Sequence, residues 1–115
     1  MSAQSFPILS LTRIAAGAIV ANRLVTPANL VAGAGENTLG IARTAAASGD
    51  AFTVDAEGTV VAESGAAVTA GASLKSDATG RVIDWATSGA KVAIALQAAT
   101  AAGQFIEVRL IQNAV

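Results

Sequence analysis

Phe105-Ile-Glu-Val-Arg-Leu110 decides the fold class. Ile106, Val108 and Leu110 alternate with Glu107 and Arg109. Side chains that alternate apolar and charged with a period of two lie on opposite faces of a strand, one face buried and one wet. The same reading extends upstream. Over 52–57, Phe52, Val54 and Ala56 fall on one face and Thr53, Asp55 and Glu57 on the other. Over 92–97, Val92, Ile94 and Leu96 oppose Ala93, Ala95 and Gln97. Segments 38–43, 59–63, 72–76 and 81–86 carry weaker versions, and 8–13 and 18–25 are further strand candidates near the N-terminus.

Turn residues separate these runs. Ala56-Glu-Gly-Thr59 joins two strand-like segments and predicts a hairpin, and Asp77-Ala-Thr-Gly80 predicts another, with Gly80 free to take a positive φ. Ser48-Gly-Asp50, Ser88-Gly89 and Ala102-Gly103 mark further breaks. Ala90 to Ala102 is the one conflict, because alanine is the best helix former. Its period-two first half and its glycine boundaries predict a strand followed by a loop or a single helical turn.

Two parts of the chain are weakly alike. Leu39-Gly-Ile-Ala, running on to Phe52-Thr-Val54, resembles Val92-Ala-Ile-Ala, running on to Phe105-Ile-Glu-Val108. Upstream, Val25-Thr-Pro-Ala-Asn-Leu30 is matched with Val68-Thr-Ala-Gly-Ala-Ser-Leu74. Two such units, each covering the other's apolar face, predict an all-β domain of small barrel or sandwich form.

A length of 115 residues fits one domain, divided here into an extended N-terminal arm, 1–12, and a single β domain, 13–115. Hydrophobic residues make up 53% of the chain, but 29 residues are alanine, so the core is thin. Charged residues reach only 13%, about half the usual share, which predicts a surface partly covered by a partner. The five arginines and two lysines are scattered, leaving no basic stripe for nucleic acid. The apolar runs are short and interrupted, which disfavours a membrane span, and the first residues do not form a secretory signal.

Chemistry is scarce. Histidine, cysteine and tyrosine are absent, which removes imidazole and thiolate metal sites and the usual activated nucleophiles. Asp50, Asp55 and Glu57 could in principle offer oxygen ligands to a hard cation, but their spacing matches no calcium loop and a solvated strand face is the simpler reading. Gly33-Ala-Gly-Glu-Asn-Thr-Leu-Gly40 lacks the Gly-Lys-Ser/Thr ending of a phosphate loop and reads as a turn. An acid pair such as Asp84 with Glu107 is not suggested by any motif. No enzyme, no cofactor and no small-molecule substrate are expected. Trp85 is the only tryptophan, suited either to core packing or to anchoring an interface. Phe6, Ile8 and Leu9 are the apolar anchors of an arm that could add to a partner's sheet edge.

From Arg13 to Ile111 the chain resembles the small tailed-phage head-decoration proteins, also called capsid cement or stabilisation proteins. The resemblance is carried by Val25-Thr-Pro-Ala-Asn-Leu-Val31, Leu39-Gly-Ile-Ala42, Ala45-Ala-Ala-Ser-Gly49, Ala67-Val-Thr-Ala-Gly-Ala72, Lys75-Ser-Asp-Ala-Thr-Gly-Arg-Val82 and Ile106-Glu-Val-Arg-Leu110, in that order. Pro27-Ala28 stands where a glycine is common in that family, and Ala93 where a glycine often precedes the apolar pair. The resemblance implies a β-tulip-like barrel and a structural virion protein, made in the bacterial host and placed on the capsid exterior. It implies a homotrimer at three-fold or quasi-three-fold positions that clamps the major capsid protein lattice. Phe6, Ile8, Leu9, Trp85 and the alanine-rich loops 45–49 and 98–103 are the expected interface. A carbohydrate-binding β module is the alternative, set back by having only four aromatic residues.

Overall fold

The computed structural model describes residues 5–111. Among them there is no helix; eight strands follow in order: β1 Phe6–Ile14, β2 Leu24–Val25, β3 Gly40–Ala42, β4 Ala51–Glu63, β5 Ser73–Ser76, β6 Val82–Asp84, β7 Ala93–Ala95 and β8 Phe105–Leu110. They form one antiparallel sheet in the order β2-β3-β4-β8-β7-β5-β6, with β1 paired to β4 off this path. A parallel bridge between Ser64 and Val82 brings β6 back to the segment that follows β4. The sheet therefore curls into a nearly closed small barrel, which leaves few open edges.

β4 organises the molecule. Its inward positions Phe52, Val54, Val60 and Ala62 are buried, and it pairs with β1, β3 and β8. The hairpin expected at Ala56–Thr59 does not form, because the chain runs through that segment as one 13-residue strand. The turn-like glycine has another use. Gly58 has φ +103°, and a Cβ there would meet the Phe6 carbonyl oxygen at 2.5 Å and the Ile8 nitrogen at 2.8 Å. The register between β1 and β4 shifts beside it, between Pro7 and Leu9 and again between Leu9 and Ser10. Gly58 thus marks a bulge where β1 crosses close to β4. The Asp77–Gly80 turn is present: Asp77 N–H donates to Arg81 C=O at 2.8 Å and Gly80 has φ +83°.

Two apolar clusters fill the interior. The larger contains Leu24, Ile41, Val60, Leu74, Val82, Val92, Ile106 and Val108 with several alanines. The smaller contains Ile19, Val25, Phe52 and Val54, with Leu11, Val31 and Leu39 packed against it. Of the four aromatic residues only Phe52 is buried in the core, so close-packed Val, Leu, Ile and Ala carry most of the apolar burial. The segment 90–102 holds β7 and a loop with no helical turn. Ala99 exchanges backbone bonds with Val68 at 2.8 and 2.9 Å, a tertiary pairing that overrides alanine's propensity.

Polar side chains tie the elements together. Arg23 reaches Glu63 at 3.2 Å, Arg81 reaches Glu63 at 3.8 Å and Asp77 at 3.3 Å. This network joins the start of β2, the end of β4 and the β5–β6 turn.

Candidate functional site

The first residues of β1 carry the most exposed large apolar side chains. Phe6 is 63% exposed, Ile8 81% and Leu9 40%. From Phe6 onward the extended arm expected over 1–12 is a strand paired to β4, with Phe6 opposite Thr59 and Leu9 opposite Glu57. Residues 1–4 of that arm lie outside the described residues. The sheet takes the segment up because β4 is long enough to offer it a pairing edge, and Leu11 anchors it against the smaller core cluster. The side chains of Phe6 and Ile8 are exposed to solvent beside the bulge in β1.

Beside them opens a cleft of about 630 Å³. Ile8, Leu9 and Leu11 line one wall, Pro27 and Leu39 another, and Leu110 adds an apolar residue from the end of β8. Glu57 and Arg109 supply opposite charges at its rim. The cleft is made by residues far apart in the chain, so no local pattern could have revealed Pro27, Leu39 or Leu110 as part of one surface. Large apolar side chains and a charged pair thus share one stretch of surface.

Trp85 does not line this cleft. It lies just past β6, half-buried, with its indole N–H donating to Gly89 C=O at 2.8 Å and Lys91 Nζ 4.2 Å from the ring centroid. The ring closes a turn in which Ala86 and Thr87 have φ +52° and +67°. That hydrogen bond and the cation–π contact hold a strained loop in place. The alanine-rich loops fold back on the body: Ala46 bonds Ile19, and Ala99 bonds Val68.

The acidic residues do not assemble into a site. Asp55 is buried beneath Arg43, which donates to its two oxygens at 2.6 and 3.2 Å, while the Ser10 hydroxyl donates at 2.7 Å. Its carboxylate is a structural tie between β1, β4 and the segment after β3. Asp84 stands on β6 and Glu107 on β8, with β5 and β7 between them in the sheet. The titration of Asp77 is displaced. Burial pulls its pKa upward, but the N–H groups of Thr79 and Arg81, the Thr79 hydroxyl and the Arg81 charge outweigh that and hold it below its ordinary value. It serves the turn. Among the described residues no helix is long and apolar enough to cross a membrane.

The described residues thus form a nearly closed antiparallel barrel with large apolar side chains exposed at the start of β1. The family-model comparison is specific: the phage cement protein family matches residues 3–110, and the chain belongs to that family. The protein is accordingly a non-enzymatic structural protein of the phage head that binds the capsid from outside. Its fold is also that of the head fibre gp8.5 N base of bacteriophage phi29. That likeness has a TM-score of 0.71 and 18% identity, and covers 93% of this chain and 97% of the other. No curated protein sequence matches.

Proposed function

We propose that the protein binds the major capsid protein as a homotrimer at three-fold and quasi-three-fold positions and braces the lattice there. In this reading Phe6, Ile8 and Leu9 are the anchors that enter the capsid surface. The observation that carries it is their exposure on a strand fixed along β4 rather than on a loose tail. Rigid anchors lose little conformational entropy on binding. Many equivalent sites on one shell turn a modest contact into firm attachment when several copies act together. Clamping neighbouring subunits would raise the resistance of a filled head to internal pressure and heat.

The test is attachment to purified heads that lack the protein. The triple substitution Phe6→Ser, Ile8→Ser and Leu9→Ser should leave the barrel folded, since these side chains are outside both core clusters. It should release most of the bound protein and return the heads' thermal rupture temperature to that of bare heads. Undiminished binding by the folded variant would remove these residues from the interface.

A further inference from the structure

The backbone hydrogen bonds of the chain follow one plan twice. Ile19 and Ala46 exchange bonds at 2.8 and 3.1 Å, as Val68 and Ala99 do at 2.8 and 2.9 Å. Asn22 N–H donates to Ala42 C=O at 2.8 Å, and Gly71 N–H donates to Ala95 C=O at 2.7 Å. Gly49 N–H donates to Ala15 C=O at 2.7 Å, and Gly103 N–H donates to Ser64 C=O at 2.8 Å. The strand registers match as well. Leu11–Ile14 pair with Val54–Ala51 as Val60–Glu63 pair with Val108–Phe105. These bonds equate Val68 with Ile19, not with Val25 as the sequence comparison had it. They also equate β1 with the second half of β4.

The two equivalent strands differ on their other edge. Along β4, Glu63 N–H donates to Asn22 C=O at 2.9 Å, Asn22 Nδ2 donates to Val61 C=O at 3.1 Å, and Arg23 pairs with Glu63 at 3.2 Å. The turn at Ala21–Arg23 is thus seated on that edge. On β1 the corresponding edge is open. Ala15 N–H donates to Asp50 C=O, so alternation turns the backbone groups of Arg13 and Leu11 toward β4 and those of Thr12 and Ile14 away from it. Among the described residues β1 pairs only with β4, and Ile14 is 55% exposed. An open edge with an exposed apolar side chain invites a covering chain.

The turn that matches Ala21–Arg23 is Ala70–Ala72. Ala70 and Gly71 are exposed, and a Cβ at Gly71 would meet nothing within 4 Å. Gly71 has φ +86° and Asn22 has φ +65°, the same left-handed backbone. Where the seated contact opposes Arg23 to Glu63, the open pair would oppose Ala72 to Ile14, a small apolar side chain to a large one. We infer that a second copy of this chain seats its Ala70–Ala72 turn on the outer edge of β1. Gly71 C=O there accepts a bond from Ile14 N–H, and Ala72 covers Ile14. Each copy offers one turn and one edge, so the contact is head-to-tail and can close a ring. The inference rests on the trimer proposed above and names the surfaces that make it.

The seated Arg23–Glu63 pair supplies the test. Ile14→Glu should weaken self-association about tenfold or more in sedimentation equilibrium, because it places a charge against an apolar turn. Ile14→Glu combined with Ala72→Arg should restore association to within about threefold of the native protein, by re-creating across copies the pair that exists within one. Because the chain has no cysteine, a mixture of the Ile14→Cys and Ala72→Cys variants should also form a covalent dimer on oxidation, in solution or on heads. A native trimer with Ile14→Glu still associating normally and no cross-link formed would overturn this contact and leave the trimer standing. A native chain that stays monomeric both in solution and on heads would end both.

Discussion

Gly58 shows how one residue can set a surface. Its positive φ and its closeness to the Phe6 and Ile8 backbone allow β1 to lie against β4. Gly58→Ala adds a Cβ where none fits and should cost about 1–3 kcal/mol in denaturant unfolding, as a strained non-glycine backbone does. Capsid attachment should fall with it, because the displaced strand carries the anchors. Unchanged stability would mean that the bulge tolerates a side chain. Asp77 governs the pH response of the β5–β6 turn. Its pKa is depressed in the folded chain, so its contribution is present above the unfolded carboxylate value, about 3.9, and is lost as pH falls through the lower folded value. Asp77→Asn should therefore melt below the native protein at pH 7, with the gap narrowing in acid. A gap that is constant down to pH 2 would contradict the hydrogen-bonding role. Arg43→Ala would leave the buried Asp55 with only Ser10 as a side-chain partner. It should cost about 1–3 kcal/mol, moderated by the exposure of the arginine itself.

At the scale of elements, strands with clean alternation were legible and the joints between them were not. β8 was readable because Glu107 and Arg109 mark one wet face against Ile106, Val108 and Leu110. β4 misled because Gly58 resembles a hairpin turn residue, whereas its conformation is demanded by another strand that local sequence does not show. β2 shrank to Leu24–Val25 from the expected 18–25, since Ile19 and Asn22 bond across to Ala46 and Ala42 in isolated contacts rather than a ladder. The candidate site was half legible. Phe6, Ile8 and Leu9 stand out as large apolar residues beside a proline, but their placement depends on β4, and the cleft beside them is lined by five separated segments. Trp85 could not be assigned from sequence, because its partner Gly89 C=O is a backbone group. Leu74 tests the core at this scale. It is fully buried in β5, and Leu74→Ala should cost about 2–5 kcal/mol by denaturant titration. A cost near zero would mean that the barrel interior is not packed as described.

For the whole molecule, the low charge and the alanine-rich composition take on meaning as properties of a body made to be covered. The barrel supplies a rigid frame, the start of β1 supplies apolar anchors, and the outer edge of β1 at Ile14 is open for a second copy. On the two proposals above, one strand would serve the capsid at its beginning and a neighbouring copy at its end. Membership of the phage cement family places the molecule on the head exterior, and the proposed anchors name the side that would face the capsid. Electron cryomicroscopy of heads with and without the protein tests this most directly. The account predicts added density on the outer surface, with Phe6, Ile8 and Leu9 against the major capsid protein. Density that binds the shell through another face, with these three side chains in solvent, would contradict it.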